Sequence, residues 1–393
     1  MRTGATTDRR TGGNPATVLR GTVVTMDPRR PRGEALALRG DRVIAVGAAP
    51  AVAAAAGPDA RVVDLGTAAV LPAFIDPHHH LALAALDRTG PTIALPPVAS
   101  IAELQRRIAE RLPPGDGWVR VSGLDPLALD EARPPTAAEL DEACPERPLL
   151  LLSRSGHDAV ANSLGLRALG LSSRSPDPFA GALGRDRRGR LDGRLVESAA
   201  LRAEAVVRDA VLARDPQGWL EGCQAHARAL LAAGVARVGD AAVPPALADL
   251  YAFAADTGRL PLIVHRLPVG ASSLLEPALS GAETGSGPAQ TPWGPAKLFV
   301  DGAAERCALT LSARQALQAL AATATRLLVE PRPSRAALRR RGPVHRGRGG
   351  RVTSGVRLAT DADVAAAVAT AAQRGVQVAL HAVGNDAVAA AVS

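Results

Sequence analysis

The stretch Val70-Leu71-Pro72-Ala73-Phe74-Ile75-Asp76-Pro77-His78-His79-His80-Leu81 constrains the chain more than any other. An apolar run that stops at three histidines reads as a buried strand ending at a chemical site. Side chains alternate along a strand, so Asp76, His78 and His80 are expected on one face and His79 on the other. Two imidazoles two residues apart on a rigid strand can hold one divalent ion, with Zn–N bonds of about 2.0–2.1 Å. Asp76, of the same parity, could orient one of them from behind. His-x-His also occurs as two polar residues at a strand end. The apolar lead-in, the flanking prolines and the aspartate favour the ligand reading.

With 393 residues the chain can bury a large core and exceeds one ordinary domain. A (β/α)8 barrel needs roughly 250 residues, so a barrel with a small appended domain fits. The net charge of +8 is concentrated in one place. Residues 331–351 hold eight Arg and no acid, and taking them from the 46 basic residues leaves 38 against 38 acidic. No basic face with interleaved aromatics accompanies this excess, so no nucleic-acid partner is expected. Cys144, Cys223 and Cys307 form neither a Cys-x-x-Cys nor a disulfide framework, which suits a reducing, cytoplasmic compartment. No run of about 18 apolar residues and no apolar leader core is present, so no membrane partner is expected.

Residues 1–16 are polar and aperiodic and are expected to be disordered. Residues 17–27 and 34–47 alternate in the β manner around a turn at Gly40-Asp41, and 61–65 add a short strand. Beyond 69, helical and strand patterns alternate. Ser100 caps a helix over 100–112 with Glu103 three residues on. A strand over 118–124 and a capped helix over 136–144 precede an apolar strand over 148–153, which runs into Ser155-Gly156-His157. His157 is either an active-site contact just past a strand or a histidine bonded to backbone at a helix start. Residues 171–194 read as a long loop. Glu197, after it, is either part of a site or a solvated first-turn carboxylate. His226, within a helix over 219–233, is expected at the surface or in packing. A strand over 235–238 should turn at Gly239-Asp240. His265, in a strand over 260–267, is expected to be structural.

Lys297 is the only lysine; the other 45 basic residues are Arg. It opens an apolar strand. A buried amine can lose its proton, whereas a guanidinium effectively cannot. A neutral amine can add carbon dioxide to become a carbamate, whose two oxygens can bridge two metals. The alternative is a chance surface lysine. Residues 303–355 then drift, and 331–351 lack the periodicity needed to bury a face, so that insert should be disordered. A stretch translated in a shifted frame would look like this. Pattern returns with an Ala-rich helix over 361–374 and a strand over 376–380 that ends in His381.

The stretch from Leu71 to His80 resembles the first barrel strand of the metal-dependent amidohydrolases, usually Pro-Gly-(Phe/Leu)-Ile-Asp-x-His-x-His. Ala73 replaces the glycine and Pro77 precedes the first histidine; neither change removes a ligand. The run from Pro148 to His157, Asn162-Ser163, and Gly193-Arg194-Leu195-Val196-Glu197 are similar to one branch, amidohydrolase family 3, with its N-substituted formamide deformylase-like and exoenzyme-regulator-like proteins. Lys297-Leu298-Phe299-Val300-Asp301-Gly302 resembles the strand that supplies a carboxylated lysine. Gln377 to Asn385 resembles a late strand-end motif, with Asn385 in place of Asp.

This resemblance implies an α/β protein. Its main domain would be a (β/α)8 TIM barrel of the amidohydrolase type over 69–393, preceded by a β-sandwich portion over 17–68. It implies a hydrolase acting on C–N bonds of amides or N-substituted formamides. His78, His80, Lys297 and His381 would ligate one or two divalent ions, zinc foremost, with Lys297 carboxylated. His157 and His381 would be the catalytic pair, His157 as a substrate contact. The family pattern would continue past Ser393 with further strands and a proton-moving Asp, so the barrel is expected to be incomplete and the activity impaired. A non-catalytic metal- or ligand-binding remnant is the alternative. The expected partner is a small-molecule amide, with homo-oligomerisation left open.

Overall fold

The computed structural model describes residues 15–270, 283–329, 344–346 and 351–393. The chain divides into two compact units, Met1–Phe74 and Ile75–Ser393.

In the first unit, β1 (Thr17–Val24), β2 (Arg32–Arg39), β3 (Arg42–Gly47) and β4 (Arg61–Val70) form one sheet in the order β3-β2-β1-β4. The β2–β3 hairpin turns at Gly40-Asp41, as the alternation predicts, and Gly40 takes φ +60° there. β4 lies parallel to β1 because the helix Ala49–Ala56 carries the chain back across the sheet. Val18, Ala35, Ala37, Val52 and Ala56 make this unit's own small core. The sandwich portion is thus one sheet with a helix on it; a facing second sheet is not found among the described residues. Of the arm expected over 1–16, residues 1–14 lie outside the described residues. Ala16 is buried, and its carbonyl accepts the Arg61 N–H.

The second unit takes β5 (Phe74–His79) from its second residue onward, then β6 (Thr92–Ala94), β7 (Val119–Leu124), β8 (Leu149–Ser153) and β9 (Asp158–Ala161). β10 (Gly181–Arg185), β11 (Leu191–Glu197), β12 (Val235–Val243), β13 (Ile263–Pro268) and β14 (Ala296–Phe299) follow. Next come β15 (Leu309–Leu311), β16 (Val344–Arg346), β17 (Val352–Ser354) and β18 (Val378–His381). β6, β7 and β8 pair in parallel, as do β12 with β13 and β14 with β18. Helices connect most of these strands, the arrangement that parallel pairing demands. The hydrogen-bonded sheets run β10-β11-β9-β8-β7-β6, β13-β12-β5 and β14-β18 among the described residues. The mixture of parallel strands and helices is the α/β class expected.

Local signals explain the helix starts. Ser100 accepts the Glu103 N–H, Thr136 and Glu139 form a reciprocal capping box, and Thr360 and Asp363 form another. Asn162, fully buried, caps the helix Ser163–Ala168. Its amide also donates to the Cys144 and Arg147 carbonyls, tying β8 to the turn before it. The main core gathers Leu81, Leu86, Trp219, Leu247 and Tyr251 behind β5 and β12. Trp219 meets Tyr251 edge-on at 5.3 Å and donates its indole N–H to the Ala82 carbonyl, so the helix Pro216–Ala232 is pinned just beyond the three histidines.

Two local expectations are corrected. The region 171–194 is not one long loop, because β10 and β11 form an antiparallel hairpin. Asp186 closes its turn by accepting the Arg188 and Arg190 N–H groups. Gly239-Asp240 is not a turn: β12 runs through both to Val243. A Cβ at Gly239 would stand 2.4 Å from the Pro77 carbonyl oxygen, so glycine serves close approach to β5 here, not chain reversal. In the Arg-rich insert, residues 331–343 and 347–350 lie outside the described residues. Val344–Arg346 pairs antiparallel with Val352–Ser354.

Candidate functional site

The end of β5 carries the first imidazole pair. The His78 and His80 rings stand 5.3 Å apart, edge to face. His80 Nδ1 lies 3.1 Å from the Ala241 carbonyl. A carbonyl can only accept, so the proton sits on Nδ1 and the Nε2 lone pair is free for a ligand. Burial lowers the His80 pKa, and the neighbouring His78 and Lys297 charges lower it further. Burial and then Lys297 do the same to His78. Both rings are therefore held toward the neutral form that a metal requires.

Asp76 does not orient either ring. Its Oδ2 accepts from His79 Nδ1 at 3.0 Å and its Oδ1 from the His78 backbone N–H. The backbone contact is a short Asx turn, and it swings the carboxylate away from the face that strict alternation gives it.

β14 and β18 carry the next group. Lys297 is 3% exposed and meets no carboxylate or hydrogen-bond acceptor among the described residues. Burial depresses its pKa. Its Nζ lies 5.2 Å from the Phe299 ring centroid, two residues along the same face. Phe299 is opposite His381 in the parallel register, and their rings are 5.2 Å apart. Burial lowers the His381 pKa, with His157 and Lys297 acting in the same direction. Asp301, fully buried, accepts backbone N–H groups from Ala308, Val383 and Gly384, which fixes the turn after His381.

His157 completes the second imidazole pair, 5.8 Å from His381. Its Nδ1 is 2.7 Å from Glu197 Oε2. Glu197 is not a solvated carboxylate: it is 0% exposed, accepts the Ala303 N–H and faces the Arg306 guanidinium at 3.6 Å. Its backbone sits at φ 50°, ψ −119°, a region a non-glycine residue rarely occupies and one that marks functional sites. A Cβ on Gly302 would stand 2.7 Å from Glu197 Oε1, so only glycine fits at that point of β14's exit. Sequence reasoning undervalued Glu197 because the groups that bury it come from distant parts of the chain. A cavity of about 860 Å³ adjoins Glu197, Asp158 and Arg306, walled by Leu124, Val160 and Leu195.

The expected site residues therefore gather as two imidazole pairs, His78 with His80 and His157 with His381, with the Lys297 charge acting on both. No three His, Cys, Asp or Glu side chains converge as a metal cluster among the described residues. Two imidazoles pushed toward the neutral form by burial, and a buried amine whose pKa burial lowers, are donor types that a divalent metal accepts. His226 and His265 lie apart from it: His226 meets His79, and His265 meets Arg237 at 3.2 Å.

Comparison with known proteins follows this geometry. The N-substituted formamide deformylase of Arthrobacter pascens is 33% identical over 256 residues, 64% of this chain and 47% of that protein. The putative amidohydrolase YtcJ of Bacillus subtilis is 28% identical over 346 residues, 84% of this chain and 55% of that protein. The chain thus spans about half the length of these curated relatives. Two crystal structures of uncharacterized metal-dependent hydrolases share its fold. The one from Pyrococcus furiosus has a TM-score of 0.63 at 24% identity, covering 96% of this chain and 69% of its own. The one from Pyrococcus horikoshii has a TM-score of 0.65 at 22% identity, covering 96% and 67%. Family assignment rests on a broader match, which takes in β4 and the entire second unit: across residues 61–393 the chain belongs to the amidohydrolase family.

Proposed function

We propose that this protein is a metal-dependent hydrolase of C–N bonds in amides or N-substituted formamides. One observation carries the reading: Lys297, the only lysine, is buried without a counter-charge among the described residues, and its charge is felt at His78, His80 and His381. An ammonium in that position is costly unless it becomes neutral or is converted to an anion. Carboxylation of a neutral Lys297 would give the carbamate that metal bridging needs. His78, His80, Lys297 and His381 would hold one or two ions, zinc foremost. Bound there, a divalent metal supplies a Lewis acid and a water of lowered pKa.

The chain's own groups do the rest. Ala241 fixes the His80 tautomer so that Nε2 faces outward. Glu197 holds His157 through Nδ1, which leaves His157 Nε2 to contact the substrate carbonyl or the departing amine. Phe299 places its ring 6.4 Å from that of His157 and 5.2 Å from that of His381, giving the pair an apolar neighbour. The branch relative that removes formyl groups from N-substituted formamides supports that substrate class. The test is release of formate or amine from a panel of N-substituted formamides and simple amides, before and after chelation. Chelator-sensitive turnover restored by Zn²⁺ is expected; turnover indifferent to chelation would refute metal dependence.

A further inference from the structure

We propose that His79 and His226 form a second site for a divalent transition ion, separate from His78, His80, Lys297 and His381. His79 ends β5 and lies on the opposite side from the His78–His80 pair, where it meets the helix Pro216–Ala232. Its Nε2 stands 3.0 Å from His226 Nε2, with the rings 5.2 Å apart and tilted by 38°. Two nitrogens bound to one tetrahedral zinc at about 2.0–2.1 Å stand roughly 3.3 Å apart. Widening the contact by a few tenths of an ångström, turning both rings so that their lone pairs converge and releasing the shared Nε2 proton would convert it into a pair of ligands.

The other side of His79 is already arranged for this. Asp76 Oδ2 lies 3.0 Å from His79 Nδ1, so the carboxylate holds the proton there and leaves the Nε2 lone pair facing His226. A carboxylate behind the ring is the usual support of a metal-bound histidine, fixing its tautomer and raising its basicity. Both rings are only part-buried, which leaves room for water at the remaining positions. No third His, Cys, Asp or Glu joins them among the described residues, so the ion would be exchangeable. Asp87 and Arg88 flank His226 with opposed charges. Imidazole donors select zinc, nickel or copper over magnesium and calcium.

The site is tested by titrating the full chain with Zn²⁺ and counting bound ions by native mass spectrometry. His226→Gln retains a hydrogen-bonding partner for His79 but removes the imidazole ligand. The wild type should bind one ion more than His226→Gln, and Asp76→Asn should weaken that ion about 10- to 100-fold. Lys297→Ala should lose ions from the other set while keeping the one that depends on His226, which separates this site from the proposed active centre. Equal ion counts and affinities for wild type and His226→Gln, with matched circular dichroism, would overturn the proposal. So would loss of every ion in His226→Gln. Cu²⁺ bound to the wild type should show hyperfine coupling to two additional nitrogens that Asp76→Asn weakens; their absence counts against the site.

Discussion

At the scale of single residues, two buried charges decide the most. Lys297 has no compensating partner among the described residues, so the metal-free protein bears the cost of its desolvation. Lys297→Met keeps the length of the side chain and removes the amine. It should leave the metal-free protein about 1–3 kcal/mol more stable by denaturant titration in chelator, while abolishing metal binding at the His78, His80, Lys297 and His381 set. A loss of stability in chelator would mean that the amine has a favourable partner. Glu197 presents the reverse case. It is buried against His157, Arg306 and the Ala303 N–H, so Glu197→Gln removes a charge from His157 and Arg306, although Asp158 still pairs with Arg306 at 2.9 Å. The expected loss is roughly 1–3 kcal/mol, read from the denaturation midpoint, with a fall in turnover as His157 loses its support. Glu197→Gln melting with the wild type would show that the pairing is unimportant.

At the scale of elements, strand ends and helix caps hold these residues in position. Asp240 on β12 accepts the Tyr251 hydroxyl at 2.6 Å and the Ala82 N–H at 3.1 Å, which joins the strand to two helices. Burial pushes its carboxyl up to about 7. A carboxyl raised above its unfolded value contributes stability that is complete below the unfolded pKa and is lost as pH rises through the folded one. The stability of the wild type relative to Asp240→Asn should therefore fall between about pH 4 and pH 7, by about 1.4 kcal/mol per pH unit at most. Paired thermal melts across that range check it; a flat difference would mean that Asp240 ionises normally. Thr136→Ala should cost about 1 kcal/mol by removing one half of the capping box that starts the helix Ala137–Ala143.

The elements also show what the sequence could reveal. The three-histidine strand, the Ser100 and Thr136 caps and the Gly40 turn were legible because each signal lies within a few neighbouring residues, but the burial expected of that strand was not borne out: Phe74 is 58% and Ile75 63% exposed. The β10–β11 hairpin was hidden under a Gly-, Arg- and Asp-rich composition, although Leu183 and Leu195 pair across it. Gly239 was read as a turn because only the fold reveals Pro77 beside it. Glu197 and the His79–His226 contact depend on partners 106 and 147 residues away, a distance that pattern reading does not span.

At the scale of the whole molecule, each compact unit carries its own core, and every candidate site residue belongs to the second. No helix among the described residues is long and apolar enough to cross a membrane. The second unit brings two imidazole pairs from three strand ends into the reach of one lysine, and the proposed chemistry depends on that meeting. Counting bound metal by mass spectrometry in purified wild type and Lys297→Ala tests it most directly. The wild type should carry at least one tightly held zinc-class ion that Lys297→Ala lacks while remaining folded. Equal metal content in the two proteins would contradict the central role given to Lys297.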